Sequence, residues 1–169
     1  MDGPIQQSGA RRRGGGLRGL LVDTGYLFAL YREEGERTRL ARARFEILVS
    51  TRGNIFLIPW PVLYESFNSQ FSERPAWIKR LNSDWSRLRR WNKLTYVDDA
   101  PFRKNCEAEW LGLSPERAGR FRGLSLVDRI LMALIEDRSM SIEALLTFDL
   151  RDFSGFCAKR GVEIIPGSA

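Results

Sequence analysis

The sequence predicts an α/β fold built around a parallel sheet. Short apolar segments, bounded by aspartate, proline or glycine, alternate with longer segments of helical periodicity, which is typical of strand and helix alternation. The chain has 169 residues, of which 43% are hydrophobic. That length and composition suit one domain with a sizeable core.

Five short, largely apolar segments are predicted to be strands, and those that precede Asp23 and Asp149 are predicted to be buried. The first ends at Asp23 and the second is stopped by Pro59. Segments of this length that are apolar throughout are typical of strands covered on both faces. The predicted strands are Leu20–Val22, Ile55–Ile58, Leu94–Val97, Ala144–Phe148 and Val162–Ile165.

Six segments between these strands are predicted to be helices. Pro61 suits a first helical turn, where its missing N–H costs nothing. Trp77, Leu81, Trp85 and Leu88 recur at spacings of three and four, which predicts one apolar helical face. The predicted helices are Tyr26–Tyr31, Glu36–Ser50, Pro61–Phe71, Ala76–Trp91, Phe102–Leu111 and Leu124–Asp137.

Two further expectations concern local detail. In the Glu36–Ser50 helix, the larger apolar side chains are expected to face the core; they are Leu40, Phe45, Ile47, Leu48 and Val49. The arginine-rich segment Ser114–Gly123 is predicted to be a loop or a short helix.

The chain divides into a tail and one domain. Residues 1–16 are rich in glycine, arginine, glutamine and serine and include Gly14-Gly15-Gly16, so we expect a disordered basic tail. The folded domain is expected to cover residues 17–169. No segment reaches the roughly 18 apolar residues that a membrane span needs, and the N-terminus has no apolar signal region. We therefore expect a cytoplasmic protein without membrane contact.

Composition narrows the possible chemistry. The chain has no histidine, which excludes Ser-His-Asp catalysis, Cys-His catalysis and histidine-ligated zinc. Its two cysteines, Cys106 and Cys157, are far apart and form no paired motif. The net charge of +6 is compatible with a polyanionic partner such as nucleic acid. Any catalysis must therefore use carboxylates, lysine, hydroxyls or a metal bound by carboxylates.

Two aspartates directly follow predicted strands. Asp23 and Asp149 would both lie at carboxyl ends of parallel strands, where ligands bind in open α/β sheets. The alternative is that each is only a turn former or a helix N-cap. Asp98 and Asp99 also follow a strand and fit that alternative equally well.

Two other acids lie on predicted helices. Asp128 falls in the middle of an apolar stripe, and a buried carboxylate needs a metal, a cation or hydrogen bonds. The alternative for Asp128 is a capping box with Ser125. Glu65 lies opposite the apolar face of its helix, so periodicity alone indicates a solvated position.

The segment Leu21–Gly25 (LVDTG) also matches the signature of aspartic proteases, in which two such aspartates share a proton. Those enzymes consist almost entirely of strands. Here the motif continues into a predicted helix, and most of the remaining chain is predicted to be helical, which argues against a protease.

Taken in order, these acids and their surroundings resemble the PIN-domain family of metal-dependent ribonucleases, and within it the VapC-type toxins of bacterial toxin–antitoxin pairs. No single motif is highly specific, but the ordered set covers about residues 18–167. The matching stretches are LLVDTGYL (20–27), IPWPVLYESFN (58–68), LSLVDRILMAL (124–134), LLTFDLRDF (145–153) and VEII (162–165).

The resemblance implies a PIN-like three-layer sandwich, in which a short parallel sheet is flanked by helices. It implies that the chain is an endoribonuclease whose catalytic acids are Asp23, Glu65, Asp128 and Asp149. Asp23, Asp128, Asp149 and Asp152 would hold a metal, with Thr24 and Thr147 as hydroxyl positions beside the site. Carboxylate-only ligands favour Mg²⁺ or Mn²⁺.

The resemblance further implies an RNA substrate, a cognate antitoxin and a homodimer. Six arginines are candidates for RNA binding around the acidic cleft, some of them near tryptophans: Arg87, Arg89, Arg90, Arg117, Arg120 and Arg122. The tryptophans themselves are expected to be core residues. The remaining alternatives are an RNA-processing PIN nuclease without an antitoxin and a non-catalytic interaction module.

Overall fold

A computed structural model of the chain describes residues 17–112 and 123–166. The predicted tail Met1–Gly16 and nearly all of the segment Ser114–Gly123 lie outside the described residues. The elements are β1 Arg18–Val22, α1 Thr24–Tyr31, α2 Glu36–Ser50, β2 Asn54–Pro59, α3 Trp60–Phe67, α4 Pro75–Arg90, β3 Leu94–Val97, α5 Ala100–Leu111, α6 Leu126–Glu136, a 3₁₀ turn Arg138–Met140, β4 Ile142–Leu146, α7 Leu150–Arg160 and β5 Glu163–Ile165.

The five strands form one parallel sheet in the order β3-β2-β1-β4-β5. In the centre of the sheet, Leu21 pairs with Leu57 on one side and with Leu145 on the other. Leu21 and Leu145 are fully buried, because helices cover the central strands on both faces. The predicted α/β class and parallel sheet are confirmed.

The connections between the strands place the helices in two layers, one on each face of the sheet. Parallel crossovers are right-handed, so the two steps from β1 to β2 to β3 put α1–α4 on one face of the sheet. The steps from β3 to β4 to β5 run in the opposite direction and put α5–α7 on the other face. Contacts agree with this division, since α1 touches α2, α3 and α4, whereas α6 touches α5 and α7. The chain direction across the sheet therefore reverses between β1 and β4.

Most predicted bounds agree with the structure to within two residues, and the differences include those at α3, β4 and α7. Helix α3 ends at Phe67 rather than Phe71, because the hydroxyl groups of Ser69 and Ser72 bond to preceding carbonyl groups and compete with the helical pattern. Strand β4 ends at Leu146 rather than Phe148. Helix α7 was not predicted, although Asp149 at its N-cap and Gly161 after its end are typical helix boundaries.

The core confirms the predicted face of α4, where Trp77, Leu81, Trp85 and Leu88 are all buried. In α2 the prediction was wrong for two residues. Leu40 is 36% exposed and Ile47 is 55% exposed, because both lie roughly 140–160° around the helix from the buried Phe45. Phe45, Leu48 and Val49 are buried as predicted.

Within residues 17–112 and 123–166, no helix has the length and apolarity that crossing a membrane requires.

Two glycines give a matched test of this packing. Gly19 lies in the central strand β1, where an added Cβ would come within 2.9 Å of the Ser141 carbonyl oxygen and of the Leu57 Cδ1 atom. The Ser141 backbone cannot move away cheaply. We expect Gly19→Ala to lower the free energy of unfolding by about 1–3 kcal/mol, the usual effect of overpacking.

The control is Gly155→Ala in α7, where an added Cβ would meet nothing within 4 Å. Alanine is the better helix former, so this variant should be up to about 1 kcal/mol more stable than the parent. Urea unfolding of both variants measures the difference. Equal stability of Gly19→Ala and the parent would contradict the predicted close approach of β1 to its neighbour.

Candidate active site

A cavity of about 650 Å³ opens at the carboxyl end of the sheet. It lies where the chain direction reverses between β1 and β4, the usual position of ligand sites in open α/β sheets. Four of the predicted site acids line it together: Asp23, Glu65, Asp128 and Asp149.

Asp23 is at the centre of this arrangement. It directly follows β1, and its backbone N–H donates to the Leu146 carbonyl of β4 at 3.0 Å. Its carboxylate Oδ2 accepts a hydrogen bond from the Thr147 hydroxyl at 2.8 Å. The same hydroxyl oxygen accepts from the backbone N–H of Asp149 at 3.0 Å. The buried Thr147 therefore fixes Asp23 and Asp149 relative to each other.

Burial raises the pKa of Asp23 to about 6, from its ordinary value of 3.8. The hydrogen bond from Thr147 lowers this pKa, whereas the negative charges of Asp128 and Glu65 raise it further. The net effect is that burial outweighs the stabilising hydrogen bonds and disfavours the charged form of Asp23. The neighbouring Gly25 leaves room beside this carboxylate, because an added Cβ would lie 3.2 Å from Oδ2.

Glu65 reaches the cavity from α3. The Thr24 hydroxyl, at the start of α1, donates to its Oε2 atom at 2.6 Å. The solvated position indicated by periodicity is correct, since Glu65 is exposed, but its exposed side faces the cavity. Thr24 thereby holds one oxygen of the carboxylate and leaves the other free to face the cavity.

Asp128 and Asp149 both line the cavity and cap helices. Asp128 Oδ2 accepts from the Ser125 N–H at 2.9 Å, and the Asp128 N–H donates to Ser125 Oγ at 3.0 Å, so the capping box is present. Asp149 Oδ1 accepts from the Asp152 N–H at the start of α7. The capping alternative thus holds for both residues without removing either from the cavity.

The structure does not bring Asp152 into the cavity wall. Its carboxylate lies beside Arg151, whose Nε donates to Asp152 Oδ1 at 3.1 Å. The side chain of Asp152 is 20% exposed. Its predicted role as a metal ligand is therefore less well supported by geometry than that of Asp149.

The three predicted RNA-binding arginines that the structure describes do not line this cavity. Arg87 and Arg90 are in the last turn of α4, which leads into the start of β3, whereas the acids lie at the strands' carboxyl ends. Arg87 forms a two-bond pair with Glu46, at 2.8 and 3.0 Å. Arg89 bonds to the Tyr96 hydroxyl. The other three candidates, Arg117, Arg120 and Arg122, lie outside the described residues.

Two basic residues that sequence reasoning missed do line the cavity, Arg37 and Arg151. Arg151 follows Asp149 closely, so its place near the site could have been inferred from the strand-end argument. Arg37 lies in the first turn of α2, and no sequence pattern indicates that this turn faces the cavity.

The donor set suits a hard divalent cation, although the acids are not gathered into a finished site. In the described part of the chain, no group of three or more acidic, histidine or cysteine side chains is close enough to hold a metal ion. Mg²⁺ usually keeps several waters and binds directly through one or two carboxylates. Asp23, Glu65, Asp128 and Asp149 bring their carboxylates to one cavity, where such an ion would reduce their mutual repulsion. The residues therefore fit a hydrated Mg²⁺ or Mn²⁺ ion.

The pKa of Asp23 makes the stability of the metal-free protein depend on pH. Because the folded-state pKa lies above the unfolded value, this group's contribution to stability is present below about pH 4 and is lost as pH rises through about 6. We expect Asp23→Asn to stabilise the metal-free protein at pH 8 by up to about 3 kcal/mol, since one pKa unit corresponds to ~1.4 kcal/mol. Near pH 4 the gain should almost vanish.

Urea unfolding in EDTA at pH 4 and pH 8 measures this difference. Glu107→Gln removes one negative charge from the exposed surface of α5 and serves as the control. A gain for Asp23→Asn that is no larger at pH 8 than at pH 4 would contradict the raised pKa.

Comparison with known proteins identifies the fold. No protein-family model matches the sequence, and no curated protein sequence is significantly similar to it. The crystal structure of VapC20 of Mycobacterium tuberculosis, a toxin that cleaves the sarcin-ricin loop, is similar with a TM-score of 0.56 and 18% sequence identity. The match covers 80% of this chain and 94% of that one. The chain has a PIN-like α/β fold, which excludes the aspartic protease alternative.

Proposed function

We propose that this chain is a metal-dependent endoribonuclease and the toxin of a type II toxin–antitoxin pair. The observation that carries the proposal is the convergence of Asp23, Glu65, Asp128 and Asp149 on one cavity at the reversal point of a PIN-like sheet. Phosphodiester hydrolysis is the reaction that a carboxylate cluster with a divalent ion supports best. The similar structure, VapC20, is an RNA-cleaving toxin and supports RNA as the substrate class.

The metal would be held by Asp23, Asp128 and Asp149, directly or through waters. A bound Mg²⁺ or Mn²⁺ ion supplies a water of lowered pKa and positive charge for the phosphate oxygens. Asp149 and Asp128 each have one oxygen engaged in a helix cap, which fixes the direction in which the other oxygen points. Asp152 was predicted as a further ligand, and we expect its replacement to matter less than that of Asp149.

The two threonines position the acids. The Thr147 hydroxyl donates to one oxygen of Asp23 and so fixes the orientation of this carboxylate, which lines the cavity. Thr24 does the same for Glu65. With one oxygen fixed, Glu65 can orient the attacking water and accept its proton, since a general base must lie within hydrogen-bond reach of its target.

The expected antitoxin has a candidate docking groove. A mostly apolar cavity of about 620 Å³ lies between α3, α4 and β3. Phe67 and Ile78 on its rim are 40% and 44% exposed. Phe71 and Trp85, which also line this groove, are buried. An amphipathic antitoxin helix fits such a groove, and its Arg or Lys would pair with the acids in place of a metal.

Metal dependence gives the first test of the proposed activity. RNA cleavage should require Mg²⁺ or Mn²⁺ and stop in EDTA. Asp128→Asn should reduce the cleavage rate at least a hundredfold, a large loss because it removes negative charge from the metal site. The protein should stay folded, because an asparagine oxygen can still accept the Ser125 N–H bond.

The measurement is single-turnover cleavage of structured RNAs, with circular dichroism to confirm folding. Glu107→Gln is again the charge-matched control and should cleave like the parent. Undiminished cleavage in EDTA would contradict the proposed chemistry. A collapse of folding in Asp128→Asn would instead show that its capping role dominates.

Partnership gives the second test. Co-expression with the product of the adjacent upstream gene should yield a stable complex, and expression of the chain alone should slow growth. Phe67→Glu should weaken the complex, because it places a charge on the rim of the apolar groove, while cleavage by the isolated chain should persist. If nothing co-purifies and growth is normal while RNA is still cleaved, an RNA-processing nuclease without an antitoxin is the better description; loss of cleavage as well favours a non-catalytic module.

A further inference from the structure

Arg37 stands out among the charged residues around the acidic cavity. It lines the cavity from the first turn of α2, and its guanidinium lies 5.6 Å from the centre of the Phe148 ring. Phe148 in turn stacks on the buried Tyr26, with ring centres 6.0 Å apart and planes 17° from parallel. Since Tyr26 is anchored by its hydroxyl to the Ala41 carbonyl, the guanidinium is held over a rigid aromatic support.

The contacts of Arg37 differ from those of the second basic residue in the wall. Arg151 donates to the carboxylate of Asp152, so part of its guanidinium is already engaged. For Arg37, no carboxylate among residues 17–112 and 123–166 lies within ion-pair distance. A guanidinium that is positioned by a ring, with its N–H donors unpaired, is suited to bind a planar or tetrahedral anion.

A second cavity continues from this point. It has a volume of about 350 Å³, lies between α1 and the start of α2, and shares Gly25, Phe28 and Arg37 with the acidic cavity. The two cavities therefore form one trough, and Arg37 lies at the junction between them. A polymer with phosphates at regular intervals can occupy such a trough, with one phosphate at the acids and the next at the junction.

We propose that Arg37 is a positioning residue that binds the RNA phosphate next to the scissile one and directs the strand from the acidic cavity into the trough between α1 and α2. The proposal rests on the ribonuclease function proposed above. Four carboxylates repel the RNA phosphates, and the Arg37 guanidinium attracts them. Because the guanidinium is already positioned in the free protein, its charge offsets part of that repulsion.

The test measures RNA binding rather than cleavage. A short fluorescein-labelled single-stranded RNA is titrated with protein in the non-cleaving Asp23→Asn background, in Mg²⁺, at several salt concentrations. Arg37→Gln should weaken binding about tenfold and lower the slope of log Kd against log salt by about 0.7, the value for one lost phosphate contact on a single strand. Arg37→Lys should retain the slope, because it keeps the charge, and recover part of the affinity.

Arg39→Gln is the matched control. Arg39 is exposed on the same helix, does not line either cavity, and carries the same charge. If Arg37→Gln and Arg39→Gln bind RNA with equal affinity and equal salt slope, the assignment of Arg37 is wrong while the ribonuclease proposal stands. If the parent neither binds nor cleaves RNA in Mg²⁺ or Mn²⁺, both proposals fail.

Discussion

The hydroxyl of Thr147 is the contact on which the candidate site depends. It donates to the Asp23 carboxylate and accepts from the Asp149 N–H, so it joins the ends of the two central strands. This contact exists only because β1 and β4 are adjacent, parallel and in the register that pairs Val22 with Leu146. A one-residue slip of that register would turn Asp23 away from Thr147. The strand order and register of the sheet therefore determine how Asp23 and Asp149 lie relative to each other.

The four carboxylates that line the cavity repel one another. Two of them are stabilised by hydrogen bonds at helix N-termini. Asp128 accepts from the N–H of the N-cap residue Ser125, and Asp149 accepts from the Asp152 N–H in the first turn of α7; both carboxylates lie near a helix N-terminus, where the helix dipole favours an anion. The side chains proposed to hold the metal thus also cap helices. Asp23 is the most buried of the four acids, and burial is the main reason why its pKa rises.

Much of this arrangement was predictable from sequence, and the failures have physical reasons. The alternation of apolar and amphipathic segments was enough to place all five strands to within two residues at their carboxyl ends. The strand-end rule then brought Asp23 and Asp149 together. The position of Arg37 in the cavity wall could not be predicted, because it depends on the contact of α2 with Phe148, which is distant in sequence. Arg87 was predicted to lie beside the acidic cleft but does not line it. The neighbouring tryptophans do not indicate which end of the sheet α4 approaches.

The burial of Asp23 also has a consequence for proton exchange. A carboxyl with a pKa of about 6 is partly protonated in mildly acidic solution. If the proposed ion binds Asp23, it must displace that proton, so its affinity would fall as the pH drops below 6. The burial that orders the end of β1 would then also make the proposed metal binding sensitive to pH.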